Sequence, residues 1–276
     1  MIQRDFRSLL MDGLRAFAKR GYISEADLQD WIAQLHAALD YELPTDAELR
    51  KDLQRTLDAI YRRDVTRLGV IRRVPGISRY TLERIAPHLR AELDRRLFAG
   101  VDLIRLNKRG ATEKTLQRFA GWVSSVPQAG TVETNLRDVA TEIIKPIRQL
   151  KYEARRVGID QGHKLAAAVA HVAAKQEGAI AAIWHDRGEH DHGYDARPEH
   201  LKRSGKLFLI RESWAMDEGL VRKGALAYTD EIEQPAELPF CSCTYEYVTS
   251  PNSLAEAVLT AKGRAWINGT HLRAVS

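Results

Sequence analysis

The sequence predicts a mainly α-helical fold, with a helical N-terminal array and long helices followed by a small α+β module near the C-terminus. Three observations predict it. Apolar residues recur at spacings of three and four through most of the first 184 positions. That periodicity breaks at Trp184, where a stretch dense in His, Asp and Gly begins. Beyond it, Leu207–Arg211 and Cys243–Val248 are short runs of residues suited to a pleated surface.

The elements follow in order. Phe6, Leu9, Leu10, Leu14 and Phe17 mark one face of a helix over 5–20 that Gly21 stops. Ser24-Glu-Ala-Asp27 has the form of a capping box, and Leu28, Trp31, Ile32, Leu35 and Leu39 form the stripe of the helix it opens. Pro44 and Thr45-x-x-Glu48 open a third helix, carrying Leu49, Leu53, Leu57 and Ile60 and running to about residue 68. Helical pattern resumes near Tyr80 through Phe98, and again from Thr112, read as a cap, to Val123. The segment 124–130, SSVPQAG, is the best internal linker. A helix kinked at Pro146 is expected over 133–157, and another, rich in alanine, over 160–184. Ser253 is read as the cap of a last helix over 254–266. The expected domains are therefore a basic helical region over 1–125, long helices with the α+β module over 131–250, and a C-terminal helix and tail over 251–276.

The chain has 276 residues, 44% of them hydrophobic, enough to bury one good-sized core or two smaller ones. Its start is charged and has no signal-peptide pattern, and no run of eighteen uncharged apolar residues follows. A soluble protein made in the cytoplasm and without membrane partners is expected. The formal charge of +5 is concentrated between Arg50 and Arg118, where 18 Lys and Arg face 8 Asp and Glu, a local excess of ten. Arg62, Arg63, Arg72, Arg73, Arg95, Arg96, Lys108 and Arg109 form pairs there that would suit a phosphate backbone, met by counterion release without sequence readout. Arginines on amphipathic helices also pair with acidic neighbours four residues away, and a solvated face is the competing reading.

The stretch from His185 to Cys243 gathers four of the nine histidines and both cysteines. A C-x-C pair on one strand suits a disulfide poorly, so reduced thiols or metal ligands are expected. Cys241, Cys243 and His200, with one of His185, His190 or His192, could supply the four ligands of a structural zinc that staples a small module. Two half-buried thiols and a hydrogen-bonded histidine explain the same residues without metal. A catalytic zinc would need an open position and a base such as Glu199 or Glu189. Clustered carboxylates at Asp186, Glu189 and Asp191 are a further place for a cation. The H-x-E and P-C-x-x-C pattern of zinc deaminases is absent, as are a Walker A loop, G-x-S-x-G and G-x-G-x-x-G.

An order of features carries a resemblance. Trp184 closes an alanine-containing segment read as helix, Asp195 lies in an acidic loop, and Arg197-Pro198-Glu199-His200 follows. Gly205 and Phe208 complete a His-x4-Gly-x2-Phe spacing, and Cys241-Ser242-Cys243 leads into a strand. Over residues 160–248 the chain thus resembles the phage head morphogenesis family, minor head proteins of the phage Mu F and SPP1 gene product 7 type. It departs in having Ser242 where that family usually has arginine, and in its additional histidines. The resemblance implies a non-catalytic virion component at the head interior or portal vertex, assembled in the host cytoplasm. The partners implied are portal or major capsid protein, with packaged double-stranded DNA met through the basic helices. A zinc-dependent hydrolase or nuclease with a helical DNA-binding arm, and a helical protein–protein adaptor, are the rival readings.

Overall fold

The structure, a computed structural model, describes residues 5–62, 81–127, 134–186 and 197–269, with the backbone alone for 81–88. It is mainly α-helical, with one small antiparallel sheet near the C-terminus. The chain divides into two compact units, residues 1–53 with 98–158, and residues 54–97 with 159–276. The linker at 124–130 therefore lies inside the first unit, and the divisions fall within helices.

In the first unit, α1 (Phe6–Arg20) is capped by the Asp5 carboxylate, which accepts from the Ser8 N–H. Gly21, at φ 77°, ends it as expected. The Ser24 hydroxyl accepts from the Asp27 N–H and starts α2 (Glu25–Glu42). Thr45 and Glu48 form the reciprocal box that starts α3 (Asp46–Tyr61). The expected continuation of α3 to residue 68 lies outside the described residues. The core gathers Leu10, Leu14 and Phe17 of α1, Leu35 and Leu39 of α2, and Phe119 and Val123 of the next helix. Gly13 lets the Trp31 ring approach, since a Cβ there would stand 3.0 Å from the ring.

That next helix, α4 (Thr81–Ser124), runs unbroken for 44 residues where the periodicity suggested two. Thr112 is buried mid-helix and caps nothing, and the Thr115 hydroxyl donates to the Ala111 carbonyl across the expected break. The helix expected over 133–157 is instead α5 (Leu136–Ile143) and the start of α6 (Lys145–Gln176). The chain breaks at Ile144, so Pro146 falls in the first turn of α6, where its missing N–H costs no helical bond.

In the second unit α6 ends at Gln176, and Gly178, at φ 79°, turns the chain into β1 (Ala181–His185). The expectation of helix to Trp184 is thus corrected: alanine tolerates a strand, and both faces of β1 are covered, so no alternation of polarity announces it. The strands β2 (Leu207–Leu209) and β3 (Thr244–Val248) pair with β1 in the order β2-β1-β3. One face of the sheet carries Ala181, Ile183, Leu209 and Val248 against Leu220, Val221, Leu254, Val258 and Leu259. The other carries Trp184, Phe208 and Tyr245. Instead of one helix over 254–266, two short 3-10 turns at Pro251–Ser253 and Glu256–Val258 precede α9 (Ala261–Ile267), which Thr260 caps. The short helices α7 (Pro198–Arg203) and α8 (Trp214–Asp217) lie between the strands in sequence. Among the described residues no helix is long and apolar enough to cross a membrane.

Candidate metal centre

Trp184 is fully buried on β1, opposite Tyr245 of β3 in register, and its ring meets that of Tyr245 edge-on at 5.7 Å. The backbone then fixes α7 to this strand. The Gly205 N–H donates to the Trp184 carbonyl at 2.8 Å, and the Trp184 N–H donates to the Lys206 carbonyl at 3.0 Å. Gly205 has φ 74°, so glycine is required where the chain leaves α7 for β2. Pro198 takes the first position of α7, and the helix turns His200 inward against Trp184, ring centroids 5.1 Å apart.

The cysteines arrive from the other side of the sequence. Phe240, at φ 61°, makes a tight turn held by its N–H donating to Asp160 Oδ1 at 3.1 Å. Asp160 is itself paired with Lys164 at 2.7 Å. The Arg197 guanidinium donates to the Pro239 carbonyl at 3.0 Å, tying the start of α7 to the same turn. Cys241 Sγ and Cys243 Sγ each stand 3.5 Å from His200 Nδ1. The three candidate ligand atoms lie within 4.8 Å of one another, and the residues are 4%, 4% and 3% exposed, which places them beyond ready access by a substrate.

The thiols are unequal. The Cys241 thiol is pulled below its ordinary value, first by a hydrogen bond from Cys243. The Cys243 thiol is pushed up, first by its hydrogen bond with Cys241 and then by burial. The Ala236 N–H also points at Cys241 Sγ, at 3.3 Å. Two cysteine sulfurs and an imidazole nitrogen converging in a buried pocket are a donor set suited to zinc. His200 Nε2 and Trp184 Nε1 are buried without a hydrogen-bond partner among the described residues.

Of the residues singled out from sequence, the fold thus brings Trp184, His200, Phe208, Cys241 and Cys243 together, with Arg197, Pro198 and Gly205 shaping the backbone around them. Asp195, His190 and His192 lie outside the described residues, as do Glu189 and Asp191. His185 does not join the cluster: neighbouring strand positions face opposite sides, and its Nε2 meets Glu246 Oε2 at 2.7 Å instead. Glu199 is exposed. One contributor was missed from sequence, and another was read in a different setting. Asp160, signalled only by its i,i+4 spacing to Lys164, anchors the cysteine turn. Asp186, read from sequence with Glu189 and Asp191 as a further place for a cation, accepts from the Cys243 thiol, its Oδ1 3.7 Å from Cys243 Sγ.

The basic stretch is less free than its composition suggests. Arg95 and Arg96 both bind Glu92, Arg109 binds Glu113, and Lys108 donates to the Pro44 carbonyl. Arg62 is exposed at the end of α3, whereas Arg63, Arg72 and Arg73 lie outside the described residues. No family model matches this chain, and no curated protein or solved structure is significantly similar to it.

Proposed function

We propose that this protein is a phage minor head protein, active in head morphogenesis by binding and not by catalysis, whose C-terminal module is stapled by a structural zinc. The zinc is held by Cys241, Cys243 and His200. The observation that carries this reading is the convergence of the residues behind the resemblance. Trp184, His200, Phe208, Cys241 and Cys243 are far apart in sequence yet form one buried cluster on one face of a three-stranded sheet. A sheet this small buries little by itself, and a metal that links α7 to the turn before β3 supplies the missing cohesion.

The burial of the cluster and the exposure of Glu199 favour a structural site over a hydrolytic one. The proposed partners are portal or major capsid protein, with double-stranded DNA met through arginines of the basic stretch without sequence preference. The place of action is the head interior or portal vertex. Two measurements test the proposal. Metal analysis of protein purified without added metal should give one zinc per chain, lost in a Cys241→Ser, Cys243→Ser double variant. A mass-spectrometric inventory of virions from a phage encoding this chain should find it in few copies, crosslinked to portal. Its absence from both procapsid and virion would overturn the assignment, as would metal-dependent cleavage of DNA abolished by Glu199→Ala.

A further inference from the structure

The three donors that converge among the described residues leave a tetrahedral ion one ligand short, and the fourth decides whether the centre is closed or can hold a reactive water. We infer that Asp186 is the fourth ligand, so that the centre is a closed site of two cysteines, one histidine and one aspartate; this rests on the zinc reading proposed above. Zinc bonds of about 2.3 Å to sulfur and about 2.0 Å to nitrogen or oxygen, opened at the tetrahedral angle, put neighbouring ligand atoms about 3.5 Å apart. Both sulfurs already stand 3.5 Å from His200 Nδ1. Asp186 Oδ1 stands 3.7 Å from Cys243 Sγ, nearly the same edge length.

Asp186 is carried there by the backbone. It follows the last residue of β1, and its N–H donates to the hydroxyl of Ser204, which closes α7, at 3.4 Å. The same short helix thus positions His200 by one turn and Asp186 by its end. Other described carboxylates nearby are engaged or turned away: Asp160 holds Lys164 and the Phe240 N–H, Glu246 holds His185, and Glu199 is exposed. Asp186 lies outside the group of three whose ligand atoms fall within 4.8 Å of one another, so closing the shell requires its carboxylate to move toward Cys241 and His200. With two thiolates, one carboxylate and a neutral imidazole, the zinc-bound centre carries a net charge of −1 and keeps no site for activating water.

The test compares zinc affinity, by competition with a chromophoric chelator, and the visible spectrum of the cobalt-substituted full-length chain, for wild type and Asp186→Ala. Wild type should bind one equivalent. Asp186→Ala should bind at least about tenfold more weakly, the lower bound for losing a group that supports a metal site, with an altered cobalt spectrum as water replaces the carboxylate. Equal affinity and an unchanged spectrum in Asp186→Ala, with wild type still binding one equivalent, would overturn the assignment of Asp186 and leave the zinc reading standing. A wild-type chain that binds no metal would overturn the zinc reading itself. If Asp186→Ala fails to fold, Asp186→His decides: one equivalent with a shifted cobalt spectrum supports the inference, and an unshifted spectrum overturns it.

Discussion

Gly263 is the position where one methyl group should do the most damage. It lies in the first turn of α9, and its N–H donates to the capping Thr260 hydroxyl at 3.0 Å. A Cβ there would overlap the carbonyl oxygen of Leu220 and stand 3.0 Å from its carbonyl carbon and 3.3 Å from its Cα. All three are backbone atoms and cannot swing aside. Restoring ordinary separations requires α9 to withdraw by roughly 1 Å. That movement strains the Thr260 N–H to Leu220 carbonyl bond at 3.0 Å and the Thr260 hydroxyl to Gly219 carbonyl bond at 2.7 Å. Each is worth about 1 kcal/mol net, and overpacking of this kind costs about 1–3 kcal/mol in total. Alanine's better helix propensity returns at most about 1 kcal/mol. Gly263→Ala should therefore destabilise the second unit by about 2 kcal/mol. Gly110→Ala, in the middle of α4 with nothing within 4 Å of the added carbon, should instead stabilise by up to about 1 kcal/mol. Urea unfolding followed by far-ultraviolet circular dichroism measures both. A neutral or stabilising Gly263→Ala would refute the claim that α9 docks on the 219–221 backbone.

Two further outcomes follow from the charges. His171 Nδ1 faces the Tyr247 hydroxyl at 3.2 Å beside the Tyr245 ring, with Lys175 and Asp230 as its charged neighbours, and burial lowers its pKa to about 4. The unfolded chain takes up this proton near pH 6.5 and the folded chain only near pH 4, so stability is full above 6.5 and falls as pH drops between the two. The loss should reach up to about 3 kcal/mol, and His171→Phe should show a correspondingly shallower decline in unfolding midpoint between about pH 7 and about pH 4.5. A variant whose midpoint falls as steeply as wild type would show that His171 is not the group responsible. For the basic stretch, binding to duplex DNA should weaken linearly in log–log form with salt and should be indifferent to sequence. Changing Arg62, Arg63, Arg72 and Arg73 to Glu should weaken it; binding unchanged by salt or by the four substitutions would remove DNA from the proposed partners.

Local signals were legible in the sequence and tertiary ones were not. Ser24, Thr45 and Gly21 act within a few residues of themselves, and each ends or begins its helix as read. Thr112 has the residue type of a cap but sits against the core, and its burial decides its role. The ion pairs that occupy Arg95, Arg96 and Arg109 were readable as i,i+3 and i,i+4 spacings, although the net charge of the segment concealed them.

The candidate centre shows the same division. Its ligand types could be named from sequence, whereas the choice between His185 and Asp186 depends on one conformational fact. The sequence pattern favours helix up to Trp184. On a helix, positions 184 and 186 would lie about 200° apart around the axis, so a residue packing on His200 and a residue reaching Cys243 could not be Trp184 and Asp186. In the extended chain of β1 the period is two. Trp184 covers His200, His185 turns away to Glu246, and Asp186 returns to the side of Cys243. The strand that alanine hid from the periodicity is thus what sorts these three consecutive residues into cover, surface pair and proposed ligand.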